Sequence, residues 1–398
     1  MARPSLQRSQ RVALTLVLLA QFLTPLVVFS IGPLAPYLRQ SLTLTREQIG
    51  ILTALFYAGT ALACIPAGWG VDRWGVRRLF VVAQVVGGLP LLAVPVLTTY
   101  DGLCLVLGIA GVAYGTATVV SSKAIYAWAP QERRATAFGA KLFALSLAGV
   151  VTSTVVPALV LWLAWPLIFL GIGGLVLASA LATLVVYCEP PHDSARPTAP
   201  ADPGAWRVLV RDGPFLRLVT VGSLFGGAQF AFITYLPLFL YESWGLSPLL
   251  AAGILAQAQL VAAGGRVLVG WVSDCWLQGE RRALLRWLGV LAAGAVLSLL
   301  LLPRGTASPL LILSVLLYGV TGLSWGTAYL TLASESSREA VGLGVGISTA
   351  ALYAGSTLTS PIFGYVTDRT GSYTLAWGIL LCCLLLGVSQ LGRTRPMT

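Results

Sequence analysis

The sequence predicts an all-α membrane protein with twelve transmembrane helices in two pseudo-symmetric six-helix bundles. Three observations lead to this prediction. Of 398 residues, 57% are apolar and only 10% are charged, whereas soluble domains carry about 25% charged residues. Apolar runs recur along nearly the whole chain, and about 20 such residues are enough for a helix to cross the hydrocarbon. Landmarks of the first half also return in the second half, about 204 residues later.

The helices are placed by cutting the chain at clusters of charged and turn residues. The first apolar run follows a basic start and reaches Leu38 without a small-residue cleavage site, so we expect a membrane helix rather than a signal peptide. The predicted spans cover about 12–38, 48–69, 79–98, 102–127, 135–159, 165–188, 214–241, 249–272, 283–303, 308–332, 341–366 and 374–391.

The longest polar gap lies in the middle of the chain. Residues 189–213 are rich in proline and charge, which is typical of an extended linker. The sequence therefore predicts an N-terminal bundle at 1–188, a cytoplasmic linker at 189–213 and a C-terminal bundle at 214–398.

Loop cations predict the orientation in the membrane. Seventeen arginines fall on the side of the N-terminus, and the opposite loops hold only Arg39, Arg46, Arg304 and Arg369. Because cytoplasmic loops are enriched in Lys and Arg, we expect both termini in the cytoplasm and the protein in the cytoplasmic (inner) membrane. The formal charge of +11 is spread over the helix ends, which argues against a nucleic-acid partner.

Enzyme chemistry and metal binding are not indicated. The six cysteines lack the paired spacing of zinc sites. The single histidine, His192, lies in the linker, so no Ser-His-Asp arrangement can form in the membrane. We expect no enzymatic activity, no catalytic residue, no metal site and no cofactor.

Repeated landmarks relate the two halves. Gly68 and Asp72 after the second span recur as Gly270 and Asp274 after the eighth, and Arg133 before the fifth span recurs as Arg338 before the eleventh. Two related six-helix halves place a substrate path between them, where rocking of one half against the other alternates access. This organisation is typical of transporters.

The loop between the second and third spans resembles the loop signature of the major facilitator superfamily, and the resemblance extends over the whole chain. The matching residues are Gly68, Asp72, Arg73, Gly75, Arg77 and Arg78. In that family the loop carboxylate and its basic partners latch the cytoplasmic helix ends in the outward-facing state. The resemblance assigns this latch to Gly68, Asp72, Arg73, Gly75, Arg77, Arg133 and Asp274. The alternative is that the loop arginines only set topology.

Four cations lie in or near predicted spans: Lys123, Lys141, Arg217 and Arg266. A cation near the middle of a span costs about 3 kcal/mol to insert, so such residues are candidates for binding an anion. The alternative for Lys123, Lys141 and Arg217 is that the side chain snorkels to the headgroups.

Arg266 is the strongest candidate ligand. It shares a helical face with Gln259 and follows Gly264 and Gly265, and a guanidinium offers a planar fork of donors suited to a carboxylate. The alternative is that Arg266 only stabilises the crossing of two helices by donating hydrogen bonds to backbone carbonyls. Tyr114 and Tyr353 are further candidates for lining the cavity, although such residues more often pack.

The acidic residues favour an anionic substrate. All fourteen carboxylates fall in predicted loops, the linker or span ends, whereas an exporter of cationic drugs needs an embedded carboxylate. The Gly-Pro signature of drug-proton antiporters is absent from span five. Two further segments, one from Lys123 to Lys141 and one from Arg266 to Trp271, are similar to bacterial organic-anion carriers and to monocarboxylate and oxalate carriers. The basic residue that oxalate carriers have in span eleven is missing, which favours a monovalent anion.

We therefore expect a monomeric secondary transporter for a small organic or inorganic anion, with Arg266 as main ligand, Lys123 and Lys141 in support, and a proton as a possible co-substrate. Two alternatives stay open. One is a proton-linked carrier or exporter of neutral or amphipathic solutes, and the other is a membrane sensor that does not transport.

Overall fold

The computed structural model describes residues 4–129, 134–189, 209, 211–277, 280–302, 309–337 and 341–392. This part of the chain is helical throughout and contains no strand. In chain order its α-helices are α1 Pro4–Leu23, α2 Leu26–Leu42, α3 Arg46–Trp74, α4 Val76–Leu92, α5 Tyr100–Trp128, α6 Arg134–Val160, α7 Trp165–Val186, α8 Gly213–Trp244, α9 Pro248–Trp271, α10 Arg281–Leu301, α11 Pro309–Gly322, α12 Gly326–Ser336, α13 Val341–Thr370 and α14 Tyr373–Gly392. A π-helical turn, Val272–Trp276, follows α9.

These helices form twelve membrane segments, because α1 with α2 and α11 with α12 are two broken helices. Thr24 and Pro25 separate the first pair, and residues 323–325 separate the second. By length and composition, ten segments of the described chain are suited to cross a membrane. The predicted all-α membrane fold is confirmed.

Residues at the helix ends satisfy the free backbone groups there. The Thr99 side chain accepts a hydrogen bond from the Gly102 N–H at the start of α5, and the Ser247 side chain accepts one from the Leu250 N–H at the start of α9. Gly245 ends α8 in the left-handed conformation with φ 65°, which a glycine adopts without steric cost. At these three ends, the helix bounds follow from capping residues that the polar gaps of the sequence contain.

The chain packs into two compact units. Unit 1 comprises Met1–Ser30 and Leu55–Thr198, and unit 2 comprises Ile31–Ala54 and Ala199–Thr398. Residues 31–54, which include the loop between α2 and α3, thus pack with the C-terminal part of the chain. The predicted bundles at 1–188 and 214–398 and the linker at 189–213 stay a prediction.

Both units expose apolar side chains of the kind that lipid covers. In unit 1, Leu62 and Leu105 are 75% and 62% exposed, and in unit 2, Val267 and Leu301 are 71% and 74% exposed. Monomeric soluble proteins rarely expose contiguous apolar surface on this scale. The protein is a multi-pass membrane protein.

Glycines allow the helices of each unit to approach closely. In unit 2, a Cβ at Gly355 of α13 would overlap the carbonyl oxygen of Ser223 in α8, and a Cβ at Gly226 would meet the carbonyl oxygen of Leu352 at 2.5 Å. In unit 1, a Cβ at Gly111 of α5 would overlap the backbone of Phe56 in α3. Since lipid provides no hydrophobic force between helices, close van der Waals packing at small residues holds them together.

We expect Gly355→Ala to destabilise the protein, because the added methyl group meets a backbone carbonyl that cannot rotate away. Overpacking of this kind costs about 1–3 kcal/mol or more. The measurement is the melting temperature of the purified protein in detergent. The matched control is Gly378→Ala in α14, where a Cβ has open space and helix propensity favours alanine by about 1 kcal/mol. Equal melting temperatures for the two variants would show that the α8–α13 contact does not limit stability.

Candidate functional site

Arg266 lies on α9 beside the break between α11 and α12. Its Nη2 donates to the carbonyl oxygen of Leu323 at 3.4 Å, and Leu323 is the first residue of that break. The Ser324 hydroxyl lies 3.1 Å from the Ala262 carbonyl oxygen, which ties the break to α9. A Cβ at Gly265 would come within 2.5 Å of the Ser324 hydroxyl, so a glycine before Arg266 allows this approach. Irregular backbone at membrane depth is tolerated where protein buries it, and here it supplies an acceptor for a guanidinium.

Unit 2 contains further polar and aromatic side chains that the sequence marks as candidates or that lie at the break. Gln259, two turns earlier on α9, is 2% exposed, and its Nε2 has no hydrogen-bond partner among the described residues. The Trp325 Nε1 donates to the Gln229 side-chain oxygen at 2.8 Å. Tyr353 of α13 stacks on Phe230 of α8, with ring centroids 5.9 Å apart. Unit 2 therefore contains a membrane-embedded guanidinium and a buried amide with a free donor.

The two lysines of unit 1 have different surroundings. Lys123 of α5 forms an ion pair with Asp72 near the end of α3, and the two side chains are 40% and 64% exposed. Lys141 of α6 is 6% exposed, and its Nζ donates to the Thr118 carbonyl oxygen at 2.9 Å and to the Ser122 hydroxyl at 2.7 Å. Tyr114 of α5 packs against Phe56 of α3, with ring centroids 5.5 Å apart. The sequence did not indicate that Lys123 pairs with the loop carboxylate.

The predicted latch loop connects α3 to α4. Gly75 adopts φ 81° and caps α4, a conformation that favours glycine. The Glu189 carboxylate accepts the backbone N–H of Arg77 at 2.8 Å, and the Arg77 side chain donates to the Leu184 carbonyl oxygen. Gly68 has open space around it. Asp72 and Arg73 are exposed.

Two predicted latch residues fall where the structure gives no side-chain information. Arg133 lies outside the described residues, and so does the side chain of Asp274. The backbone of Asp274 forms part of the π-helical turn after α9.

Sequence reasoning missed an ion network in unit 2. Glu242 at the end of α8 pairs with Arg39 and accepts hydrogen bonds from the Arg46 Nε at 2.8 Å and from the Tyr373 hydroxyl at 2.6 Å. Asp368 of α13 accepts from the Arg46 Nη1 at 3.1 Å and from the Glu47 backbone N–H at 2.8 Å, so it also caps α3. Arg39 and Arg46 are two of the four arginines on the side that the positive-inside rule leaves poor in cations. Because arginines are rare on that side, the presence of Arg39 and Arg46 was the feature of the sequence that could have indicated this network.

In the part of the chain that the structure describes, no group of three or more His, Cys, Asp or Glu side chains is arranged to hold a metal ion. The cysteines described there, Cys64, Cys104, Cys188, Cys382 and Cys383, are free thiols.

The helix pattern and the loop signature belong to a known class of transporters. A family model described as "Major Facilitator Superfamily" matches residues 17–359. This chain therefore belongs to the Major Facilitator Superfamily, and it is a transporter rather than an enzyme. The family resemblance seen in the sequence is confirmed.

Relatives and a solved structure agree with this assignment. A probable sulfoacetate transporter, SauU, of Cupriavidus necator is 26% identical over 96% of this chain and 93% of its own length. Monocarboxylate transporter 13 of Rattus norvegicus is 28% identical over 79% of this chain and 72% of its own length. The structure of a bacterial homologue of the human lysosomal transporter Spinster aligns with a TM-score of 0.76 at 16% identity, over 98% of this chain and 96% of that one.

We expect Glu242→Gln to lower the melting temperature, because it leaves the Arg39 and Arg46 guanidinium groups close together without their shared carboxylate. The Glu242 side chain is 15% exposed, and breaking a largely buried pair of this kind costs about 1–3 kcal/mol. Thermal unfolding in detergent measures the effect.

Two further variants test the cause. Arg39→Gln in the Glu242→Gln background should restore part of the lost stability, because it removes one of the uncompensated charges. Glu335→Gln, which removes a more exposed partner of Arg281, is the matched control and should cost less than about 1 kcal/mol. If Glu242→Gln costs no more than Glu335→Gln, the network does not stabilise unit 2.

Proposed function

We propose that this transporter moves a small organic or inorganic anion, of the monocarboxylate type, by alternating access. The observation that carries the proposal is the Arg266 guanidinium within the membrane segment formed by α9. Arginine stays protonated at any physiological pH, and a cation in a span is costly unless it serves a path or a partner. A bound carboxylate or sulfonate would satisfy its planar donors with two parallel hydrogen bonds.

The names of the relatives support the same class of substrate. SauU is named for sulfoacetate and the rat relative for monocarboxylates, and both kinds of compound are small organic anions. Their identities of 26% and 28% do not by themselves transfer a substrate. They agree with a substrate whose negative charge suits the Arg266 guanidinium.

Arg266 is the proposed main ligand, and Gln259 has the free amide donor that a second oxygen of the anion needs. Tyr353 is the proposed aromatic wall in unit 2. In unit 1 we keep Lys141, Lys123 and Tyr114 as proposed supporting residues. The pair with Asp72 gives Lys123 a second proposed role, in the latch.

The proposed latch consists of Gly68, Asp72, Arg73, Gly75, Arg77, Arg133 and Asp274. Its charged centre is Asp72, which holds Lys123 in the structure. Asp72→Asn should shift the population toward the inward-facing state. Because exposed ion pairs contribute about 0–1 kcal/mol, the shift should stay below about fivefold.

The measurement for Asp72→Asn is the labelling rate of single cysteines placed in the loops predicted to be periplasmic. The rate should fall if the outward-facing state becomes less populated. Lys123→Gln is the matched variant, since it removes the other half of the pair. An unchanged labelling rate in Asp72→Asn would count against the latch.

We also propose the cytoplasmic membrane as the location, with both termini in the cytoplasm and a monomer as the working unit. The ratio of seventeen to four loop arginines supports this orientation. The protein would function without a cofactor.

Arg266→Ala should abolish anion transport while the protein still folds. Removing one partner of a buried charge pair costs about 2–5 kcal/mol, so uptake should fall at least about thirtyfold. The assay is uptake into proteoliposomes of lactate, acetate, sulfoacetate, cyanate, nitrate and succinate, beside a neutral sugar and an organic cation.

Arg217→Ala is the matched control, because it removes an exposed arginine at the start of α8. Arg266→Lys should retain part of the flux, since it keeps the charge but loses the fork. Normal uptake in Arg266→Ala would remove Arg266 from the site. Transport of only the sugar or the cation would overturn the proposed substrate class, and binding without flux would favour a sensor.

A further inference from the structure

Lys141 occupies an enclosed position in unit 1, where helices α3, α5 and α6 contribute polar groups. Its side chain is 6% exposed. Its amine contacts the Thr118 carbonyl oxygen and the Ser122 hydroxyl, both on α5. The Cys64 thiol of α3 interacts with it electrostatically and donates to the Thr60 carbonyl oxygen at 3.2 Å. This arrangement encloses an amine among neutral groups.

The hydrogen bonds at this position suit an uncharged amine. The Ser122 hydroxyl donates to the Thr118 carbonyl oxygen at 2.9 Å, so it accepts the bond from Lys141. Both hydrogen bonds of Lys141 are therefore donations from the amine. A neutral amine has two N–H groups and an ammonium has three. Within the described part of unit 1, Lys141 has these two acceptors, which leaves the third N–H of an ammonium without one.

The Thr118 carbonyl is also a shared acceptor. It accepts hydrogen bonds from the Ser122 hydroxyl at 2.9 Å and from Lys141 at 2.9 Å. The Ser121 hydroxyl also lies 2.9 Å from it, although the one proton of that hydroxyl has a second acceptor in the Gln21 side-chain oxygen at 3.1 Å. A carbonyl oxygen has two lone pairs, so Lys141 shares this acceptor with at least one hydroxyl. The site therefore offers an ammonium little of the solvation that water would give.

Charged and titratable groups on the surrounding helices do not provide Lys141 with a counter-ion in the described structure. Helix α7 has none, and α1 has Arg8 and Arg11 near its start. On α5 the nearest charge in sequence is Lys123, which is paired with Asp72 of α3. The other titratable residues of these two helices are Tyr100, Asp101, Cys104, Tyr114 and Tyr126 on α5, and Arg46, Glu47, Tyr57, Cys64 and Arg73 on α3. Among them, the Cys64 thiol interacts with Lys141.

We propose that Lys141 is the proton-carrying residue of this transporter. In the enclosed position described here the amine is neutral. When the substrate anion binds from one side of the membrane, the amine takes up one proton from the solution on that side and becomes an ammonium; when the anion leaves on the other side, the ammonium releases that proton to the solution there. The reaction involves one N–H bond and no electron transfer. One proton then crosses the membrane with each anion. This inference rests on the proposed function, because it needs an anion as the substrate.

Transport in proteoliposomes separates this role from a merely structural one. For one proton per monovalent anion, an inward gradient of one pH unit accumulates the anion about tenfold at steady state, since one pH unit is 1.36 kcal/mol. We expect wild type to accumulate labelled lactate in this way, and Lys141→Met to show no accumulation at any rate of lactate exchange that it retains. Lys141→Arg, which keeps a permanent charge, should behave like Lys141→Met.

The control is Lys123→Met, which makes the same change at the other lysine. Its rate is expected to fall, but its final accumulation should remain about tenfold, because accumulation depends on stoichiometry and not on rate. About tenfold accumulation in Lys141→Met would overturn the proposal. Wild type that exchanges lactate without accumulating it would also overturn it, while leaving the anion carrier standing. Wild type that transports no anion of the panel would overturn the proposed function itself.

A second measurement needs no substitution at Lys141. The chain contains only two lysines, Lys123 and Lys141, so NMR of protein labelled with ¹⁵N-lysine shows two side-chain signals, which Lys123→Arg assigns. At pH 8 the Lys141 signal should be that of a neutral amine without lactate and that of an ammonium at saturating lactate. A charged Lys141 in both states would refute the inference even if the variants failed to fold.

Discussion

The hydrocarbon interior offers no hydrogen-bonding partner, so the backbone groups of a membrane segment must find one within the chain, and an unpaired polar side chain there is costly. Many hydroxyls of the described helices satisfy this constraint on their own helix. The Ser30 hydroxyl donates to the Leu26 carbonyl oxygen, and the Thr154 hydroxyl donates to that of Val150. Charges at the helix ends satisfy it by pairing, as Arg46 does with Glu242 and Asp368. Lys141 stands apart because its hydrogen-bond acceptors are a carbonyl oxygen and a hydroxyl.

This constraint explains why the fold was predictable from the sequence. Apolar length and turn residues mark each membrane segment, and a run of about 20 apolar residues satisfies its backbone in lipid by forming a helix. The predicted first span, at about 12–38, corresponds to α1 and α2, which together cover Pro4–Leu42. The difference arises because the helices continue beyond the apolar run into polar residues. The break at residues 323–325 was not predicted; Gly322 and Gly326 flank it, and Ser324 within it donates a hydrogen bond to the Ala262 carbonyl oxygen of α9.

The candidate site was less predictable, because pairing depends on how each helix is rotated and where it packs. Hydropathy identified Lys123 and Lys141 as unusual but did not distinguish them. The structure places one in an exposed ion pair and the other in an enclosed position. The count of arginines in the loops on each side similarly marked Arg39 and Arg46 as exceptions to the positive-inside rule. Their partners, Glu242 and Asp368, are about 200 and 320 residues away in the chain, a separation that no local pattern reports.

Under the proposed roles, the charges of Arg266 in unit 2 and Lys141 in unit 1 decide how the membrane potential acts on the transport cycle. Arg266 keeps its charge in every state, whereas Lys141 gains and loses one. An empty carrier with neutral Lys141 then has a net charge of +1 from these two residues. A loaded carrier has two cations and one monovalent anion, which again gives +1. The membrane potential therefore acts equally on the empty and the loaded forms, and neither reorientation step moves more charge than the other. A dianion with one proton would break this balance, so the valence of the substrate decides whether transport is electroneutral.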